Sequence, residues 1–471
     1  MLFTSISFFL FLAIIVLLVR IMPWSIGRPF LVITSYIFYG VFEPWYCLLL
    51  LASTLVDFFA AQRINTSPSK QQKKRWLLLS LGLNLGLLGL FKYADFGISN
   101  LNAVLGWFGS ESLPYTHWLL PIGISFYTFQ TLSYTIDVYR GKQKPTRDFI
   151  GFSLYVAFFP QLVAGPIERA SRLLPQFTRP QRPPVSMQDI EEGFQRILWG
   201  LMKKTVFADR LALMVDQVYA SPANYSSPEL IVATLCFSFQ LYLDFSAYTD
   251  IAIGTARCLG IRLSENFNYP FLAQTPSDFW SRWHITLTAW FRDYVYQPLG
   301  GTRRNVPLRT IMAILISMSL VGLWHGADWN YVIFGFLSGL AVVVHQLLRL
   351  KRGRGPLLGR HAWSPLAAIL LMNLTINFIM VFFRAPDMAS AYAVLSGMIT
   401  NGWSWSDKYN VSLGLLLIVI TAHIWRGLGL QLSSASLLAR APVRGAAWLA
   451  ILLIIAYGAV DQSERFIYFQ F

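Results

Sequence analysis

Residues 309–354 read RTIMAILISMSLVGLWHGADWNYVIFGFLSGLAVVVHQLLRLKRGR. Two apolar runs, 310–324 and 331–348, flank the polar turn Trp324-His325-Gly326-Ala327-Asp328-Trp329-Asn330, and basic residues close both outer ends. Runs of this kind become helices in a bilayer, because no water is present to satisfy a loose backbone N–H or C=O. The pattern predicts a helical hairpin with both outer ends on the basic, cytoplasmic side. At ~1.5 Å per residue the run 310–324 reaches only ~22 Å, short of a ~30 Å hydrocarbon core. The turn is therefore expected below the far surface, and ionisable groups at that depth usually face a cavity and mark function.

The rest of the chain follows the same design. Apolar residues make up 55% of the 471, only 13% are charged, and the mean hydropathy is +0.50. A water-soluble domain carries about 25% charge, so this chain could not cover its surface in water. Disorder is excluded by 36 Phe, 21 Tyr and 16 Trp, which would collapse. Windows able to span recur at 2–19, 29–42, 45–62, 76–91, 118–139, 229–246, 247–261, 310–324, 331–348, 365–383, 411–425 and 446–460. They predict an all-α polytopic membrane protein of about 11–12 membrane helices. With no repeat, low-complexity tract or soluble domain, 1–471 reads as a single integral-membrane domain.

The net charge of +15 could suggest a nucleic-acid partner. However, more than half of the 38 Lys and Arg fall in five stretches, 63–75, 140–147, 169–182, 303–309 and 349–360, none of which contains an Asp or Glu. These lie between apolar runs, as cytoplasmic loops facing anionic lipid do. No basic face interleaved with stacking aromatics is present, so nucleic acid is not an expected partner and membrane lipids are. The segment Met1–Val19 has neither a preceding basic residue nor a small-residue cleavage site, and reads as a retained span with Arg20 and Arg28 inside. Both termini are expected outside. Cys47, Cys236 and Cys258 are scattered through apolar sequence and form neither a disulfide framework nor a metal site.

If every basic loop is cytoplasmic, an even number of crossings must separate neighbours. The run Phe149–Gly165 breaks this parity, joining two basic loops alone. With Pro160, Gly165 and Pro166 in or beside it, it is expected to enter the membrane and return on the same side. Beyond it, Asp189–Gln217 reads as an amphipathic helix near the cytoplasmic surface.

Three polar constellations interrupt the apolar pattern. In the first, a neutral His325 imidazole could take a proton from an acceptor hydroxyl, or could be a hydrogen-bonded core residue; Asp328 could orient it or cap the following helix, and Trp324 and Asn330 complete the turn. The second runs from Asp278-Phe279-Trp280-Ser281-Arg282-Trp283-His284 to Trp290-Phe291-Arg292-Asp293-Tyr294. Its seven aromatics in 279–296 suit an interfacial helix, while His284, Arg282 and Arg292 could polarise a carbonyl or hold a phosphate. The third, Asp244-Phe245-Ser246-Ala247-Tyr248-Thr249-Asp250, places two carboxylates among apolar residues, where they need partners, most simply Arg257, Arg282 or Arg292. His117, His345, His361 and His423 stand in no polar cluster and read as structural. No Walker loop, dinucleotide glycine pattern, HExxH or GxSxG occurs.

Taken in order, Phe159-Pro160-Gln161-Leu162-Val163-Ala164-Gly165-Pro166-Ile167-Glu168, the 244–250 run, Arg282-Trp283-His284 with Trp290-Phe291-Arg292-Asp293-Tyr294, Trp324-His325-Gly326 and the terminal Phe466-Ile467-Tyr468-Phe469-Gln470-Phe471 resemble the membrane-bound O-acyltransferase family, most closely its bacterial alginate O-acetyltransferase branch. The resemblance implies tilted helices around a central funnel or channel, with re-entrant and interfacial helices. His325 falls on the family histidine, and His284 on a second position that is His or Asn in different branches. It further implies a cytoplasmic thioester donor, acetyl-CoA, with no metal and with donor-binding residues unassigned. Transfer would be across the bacterial inner membrane to an extracytoplasmic polysaccharide such as alginate or cellulose, completed by a separate extracytoplasmic acetyltransferase-type partner. Two other readings are a D-alanyl or other acyl transferase acting on a cell-wall polymer, and a transporter without chemistry. The transporter would show broken helices at matching positions of two related halves, which this sequence lacks.

Overall fold

The structure, a computed structural model, describes residues 3–182, 184–301, 307–352, 364–429, 441–458 and 466–467. The basic residues of 303–306 and 353–360, His361 and the terminal 468–471 lie outside the described residues. Every regular element described is helical. Seven helices are long and apolar enough to cross a membrane, among the described residues, and Ile6–Ile21, Met388–Thr400 and Trp448–Gly458 are shorter apolar helices. The protein is a polytopic helical membrane protein.

Its contacts divide into two compact units, Met1–Ile197 with Thr249–Ser264, and Leu198–Tyr248 with Glu265–Phe471. The first contains α1 (Ile6–Ile21), α2 (Trp24–Gly40), α3 (Tyr46–Thr66), α4 (Lys70–Trp107) and α5 (Ile124–Tyr139). Lipid offers no hydrophobic drive for pairing helices, so small residues and hydrogen bonds must supply it. Here a carboxylate does so. Asp57 of α3, fully buried, accepts from Asn84 Nδ2 (3.0 Å) and Ser80 of α4 and from Thr135 of α5 (3.2 Å), tying three helices at one point. A lone Asp in an apolar run carries no spacing signal, so the role of Asp57 is not legible along the chain.

The run around Pro160 forms three short helices, α6 (Phe149–Ala157), α7 (Phe159–Leu162) and α8 (Ala170–Thr178). Nine-residue helices such as α6 and α8 reach only ~14 Å. Arg28 binds both the Asp148 carboxylate, which caps the start of α6, and the Phe177 carbonyl at the end of α8 (3.2 Å). Arg28 therefore holds the start and the end of this run together, so the chain doubles back on itself. Gly165 permits the turn, since a Cβ there would strike the Gln161 backbone.

Helix α9 (Met187–Met202) runs through a π-helical turn at Lys203–Ala208 into α10 (Asp209–Ala220), and α11 (Ser227–Cys258) is one unbroken helix. The two windows 229–246 and 247–261 are thus a single 32-residue element. Ser246-Ala247 is polar and small enough to lower the hydropathy, but neither residue stops a helix. The second unit also holds α12 (Pro276–Arg282), α13 (Ile285–Phe291), α14 (Pro307–His325), α15 (Trp329–Arg352), α16 (Ser364–Arg384), α17 (Met388–Thr400), α18 (Asn410–Gly427) and α19 (Ala441–Gly458). Helix α14 begins at Pro307, three residues before the apolar run, because a helix tolerates Pro and polar residues in its first turn. Its 19 residues reach ~28 Å, nearly a full hydrocarbon core, so the length argument for a short span does not hold.

Candidate active site

Helices α14 and α15 form the hairpin anticipated around 324–330. They approach at glycines: a Cβ on Gly322 would strike the Tyr331 carbonyl, and one on Gly335 would lie 3.0 Å from Gly322 Cα. Gly326 leaves room for the Tyr331 ring over the turn. Asp328 Oδ1 accepts the Asn330 N–H (2.8 Å), which makes Asp328 the cap of α15. Asn330 is buried and donates from Nδ2 to the Ala385 carbonyl (2.9 Å), pinning the turn to the end of α16. Tied down in this way, His325 is only 3% exposed, with ring centroids of Trp324, Phe383 and Phe334 at 5.0, 5.1 and 5.9 Å.

His284 joins α12 to α13 with a left-handed backbone, φ 42°. Such a conformation costs a non-glycine residue about 1–3 kcal/mol and persists only where its surroundings over-determine it. Asn266 does that here. Its carbonyl accepts the Ile285 N–H (2.9 Å), and its Oδ1 accepts the Thr286 N–H (3.2 Å) and hydroxyl (2.8 Å). The imidazole is 1% exposed, edge-on to Phe245 (4.7 Å), and 5.5 Å from the Trp324 ring. Trp324 therefore neighbours both imidazoles. Residues 276–296 belong to none of the seven candidate spans. Burial, with His325 as the second cause, holds the His284 imidazole well below its ordinary range, leaving it neutral at neutral pH.

The other anticipated residues have different partners. The aromatics of 279–296 do not form an exposed belt: Phe279, Trp280, Trp283, Trp290 and Phe291 are buried, with Phe279 stacked on Trp283 at 5.6 Å. Sequence cannot tell an interfacial ring from a core ring, since both want an apolar body. Arg282 pairs with Asp278 one turn back (2.7 Å), and the largely exposed Arg292 with Asp293 (3.0 Å). Asp250, in the first unit, pairs with Arg196 (3.0 Å), and Arg257 with Asp189 and Glu192. Asp244 takes none of the three expected arginines. Its partner is Lys204, 1% exposed, whose Nζ lies 2.7 Å from Asp244 and 2.8 Å from Asp209. Asp244 Oδ2 also accepts the Ile467 N–H (2.9 Å). Burial alone would lower the Lys204 ammonium, but the two carboxylates overcome it and raise it above its ordinary value. Lys204, Asp209 and Asn266 belong to none of the three polar constellations, although Lys203-Lys204 amid apolar 197–208 is a signal of buried charge.

Two buried imidazoles thus flank one indole in a polytopic membrane protein. A model of the membrane-bound O-acyltransferase family matches residues 146–383, a range that contains both histidines. A probable alginate O-acetylase of Pseudomonas putida is 40% identical over 413 residues, covering 87% of this chain and 82% of that protein. One of Azotobacter vinelandii is 37% identical over 417 residues, covering 88% and 81%. A peptidoglycan O-acetyltransferase of Helicobacter pylori is 36% identical over 399 residues, covering 79% and 73%. The chain belongs to the membrane-bound O-acyltransferase family and is an O-acyltransferase.

Proposed function

We propose that this enzyme moves an acetyl group from a cytoplasmic thioester, acetyl-CoA, across the bacterial inner membrane for O-acetylation of an extracytoplasmic polysaccharide. The similarity to alginate and peptidoglycan O-acetylating proteins supports both the acetyl group and a polymer acceptor. The basic stretches between spans support an orientation with thioester arrival from the inside and both termini outside. A separate extracytoplasmic partner completes delivery to the polymer. Alginate, cellulose and peptidoglycan are all acceptors compatible with this chemistry.

One observation carries the chemistry: the Trp324 ring lies 5.0 Å from the His325 imidazole and 5.5 Å from that of His284. His325 acts as general base, taking the proton of an acceptor hydroxyl as its oxygen attacks the thioester carbonyl. The C–S bond then breaks and the leaving thiolate takes that proton, giving an ester and free CoA thiol. His284, neutral through burial, donates an N–H to the carbonyl oxygen as negative charge develops there. Asp328, Trp324 and Asn330 hold the turn. Asp244, Asp250, Arg282 and Arg292, engaged in ion pairs of their own, are supports rather than reacting groups.

The test is His325→Ala in native membranes, with surface glycan acetate measured by mass spectrometry. Transfer should fall about 10²–10⁴-fold with normal membrane insertion. Unchanged acetate at normal protein levels would overturn the assignment.

A further inference from the structure

A second site lies in the first unit, where α3 ends and α4 begins. A cavity of about 490 Å³ opens there, lined by Arg63, Gln72, Arg75, Trp76 and Leu79 among others. Its volume is within the ~300–1,000 Å³ of small-ligand sites. Arg63 lies over the Trp76 ring, 6.0 Å from its centroid. Neither Arg63 nor Arg75 has a carboxylate partner among the described residues. Residues 63–75 hold five basic side chains and no acid, so the cavity wants an anion.

What continues below it identifies the anion. On α4, Arg75, Leu79, Gly82 and Gly86 follow one another at spacings of four, three and four, a single helix face. Ser80, Asn84 and Leu88, on the opposite face, are the buried ones. A Cβ placed on Gly82 or Gly86 would meet no atom within 4 Å, while Leu78, Leu79 and Leu85 beside them are about half exposed. The result is a shallow apolar groove running from the arginines into the span. From Arg75 to Gly86 is ~16 Å along the axis, about half a ~30 Å hydrocarbon core.

We infer that this face is a binding site for one anionic phospholipid, its phosphate between Arg63 and Arg75 and an acyl chain in the Gly82–Gly86 groove. A soluble phosphate would use the arginines and leave the groove empty. Gly82-x-x-x-Gly86 could also pack against a second copy of this helix. A symmetric parallel pair would then bring both sets of five basic residues together with nothing to neutralise them, which favours lipid.

The experiment is native mass spectrometry of the full chain released from phosphatidylglycerol or phosphatidylcholine nanodiscs. The wild type should retain one phosphatidylglycerol, should retain no phosphatidylcholine, and should not yield the lipid to excess glycerophosphoglycerol, which has the headgroup alone. Arg63→Gln and Arg75→Gln should each weaken retention about fivefold. Gly86→Leu, whose Cβ would meet no atom within 4 Å, should weaken it with both arginines intact, and Arg75→Lys should largely preserve it. Equal retention by Gly86→Leu, or displacement by glycerophosphoglycerol, would reassign the cavity to a free phosphate. A dimer lost in Gly86→Leu would reassign the face to a second copy. Retention unchanged by either Gln variant would overturn the site altogether.

Discussion

His284 combines a buried imidazole with a left-handed backbone, and the two can be separated experimentally. Asn tolerates that conformation better than Ala and keeps an N–H donor, so His284→Asn should retain more transfer than His284→Ala, at about 1 kcal/mol less cost in stability. Thermal unfolding in detergent, run beside an acetyl-transfer assay, checks both halves. Asn266→Ala should cost about 1–3 kcal/mol, because the Thr286 N–H and hydroxyl lose their buried acceptor, and should slow transfer with His284 still present. The titration of His284 has a definite sign. Its pKa is depressed in the folded state, so below the ordinary value of about 6.5 the unfolded chain takes up a proton that the folded chain refuses. Stability is complete above that pH and falls as pH drops, by up to about 1.4 kcal/mol per unit from this group. His284→Asn should flatten the unfolding midpoint between pH 7 and pH 5 relative to wild type; an unaltered slope would remove His284 as the cause. The sequence singles out His284 and His325 as candidates, yet their shared neighbour Trp324 is beyond it, since 40 residues of chain separate the two histidines.

At the level of elements, the α14–α15 hairpin is set by backbone contact, and backbone contact does not yield. Gly322→Ala should push Tyr331 away, cost about 1–3 kcal/mol and lower transfer by shifting His325 three residues on. Gly414→Ala on α18, where a Cβ meets open space, is the matched control and should leave both stability and transfer unaltered. Activity loss equal in the two variants would show that the effect is not the close approach. Hairpins and breaks were legible along the chain wherever a residue type forces them. Pro160 and Gly165 announced the α6–α8 turn, and the polar 324–330 run announced the other. The join in α11 was misread for the opposite reason: Ser246 and Ala247 weaken hydropathy without breaking a helix.

Across the whole second unit, Lys204 gathers residues far apart in sequence. It holds Asp209 of α10 and Asp244 of α11, and through Asp244 the Ile467 backbone near the end of the chain. Lys204→Met should cost about 3–5 kcal/mol, because two buried carboxylates lose the ammonium they share. Adding Asp209→Leu and Asp244→Leu should restore part of that loss, by the midpoint of unfolding in detergent. A single variant as stable as wild type would mean that the triad is not buried in the working protein.

By itself the sequence determined that this chain is a polytopic membrane protein of apolar helices, where Pro, Gly and polar runs break them, and that His325 and His284 are its candidate site residues. Those properties depend on apolar length, backbone breakers and ionisable groups out of place, each of which is local. It could not determine which faces meet. Helices α4 and α11 have nearly the same mean hydropathy, 1.6 and 1.5, yet 17% of one window is buried inside the protein and 78% of the other. Lipid and a neighbouring helix are equally apolar, so hydropathy cannot distinguish them. Only the tertiary structure decided that, and with it Lys204 as the partner of Asp244, Asn266 as the clamp on His284, and the indole beside both imidazoles.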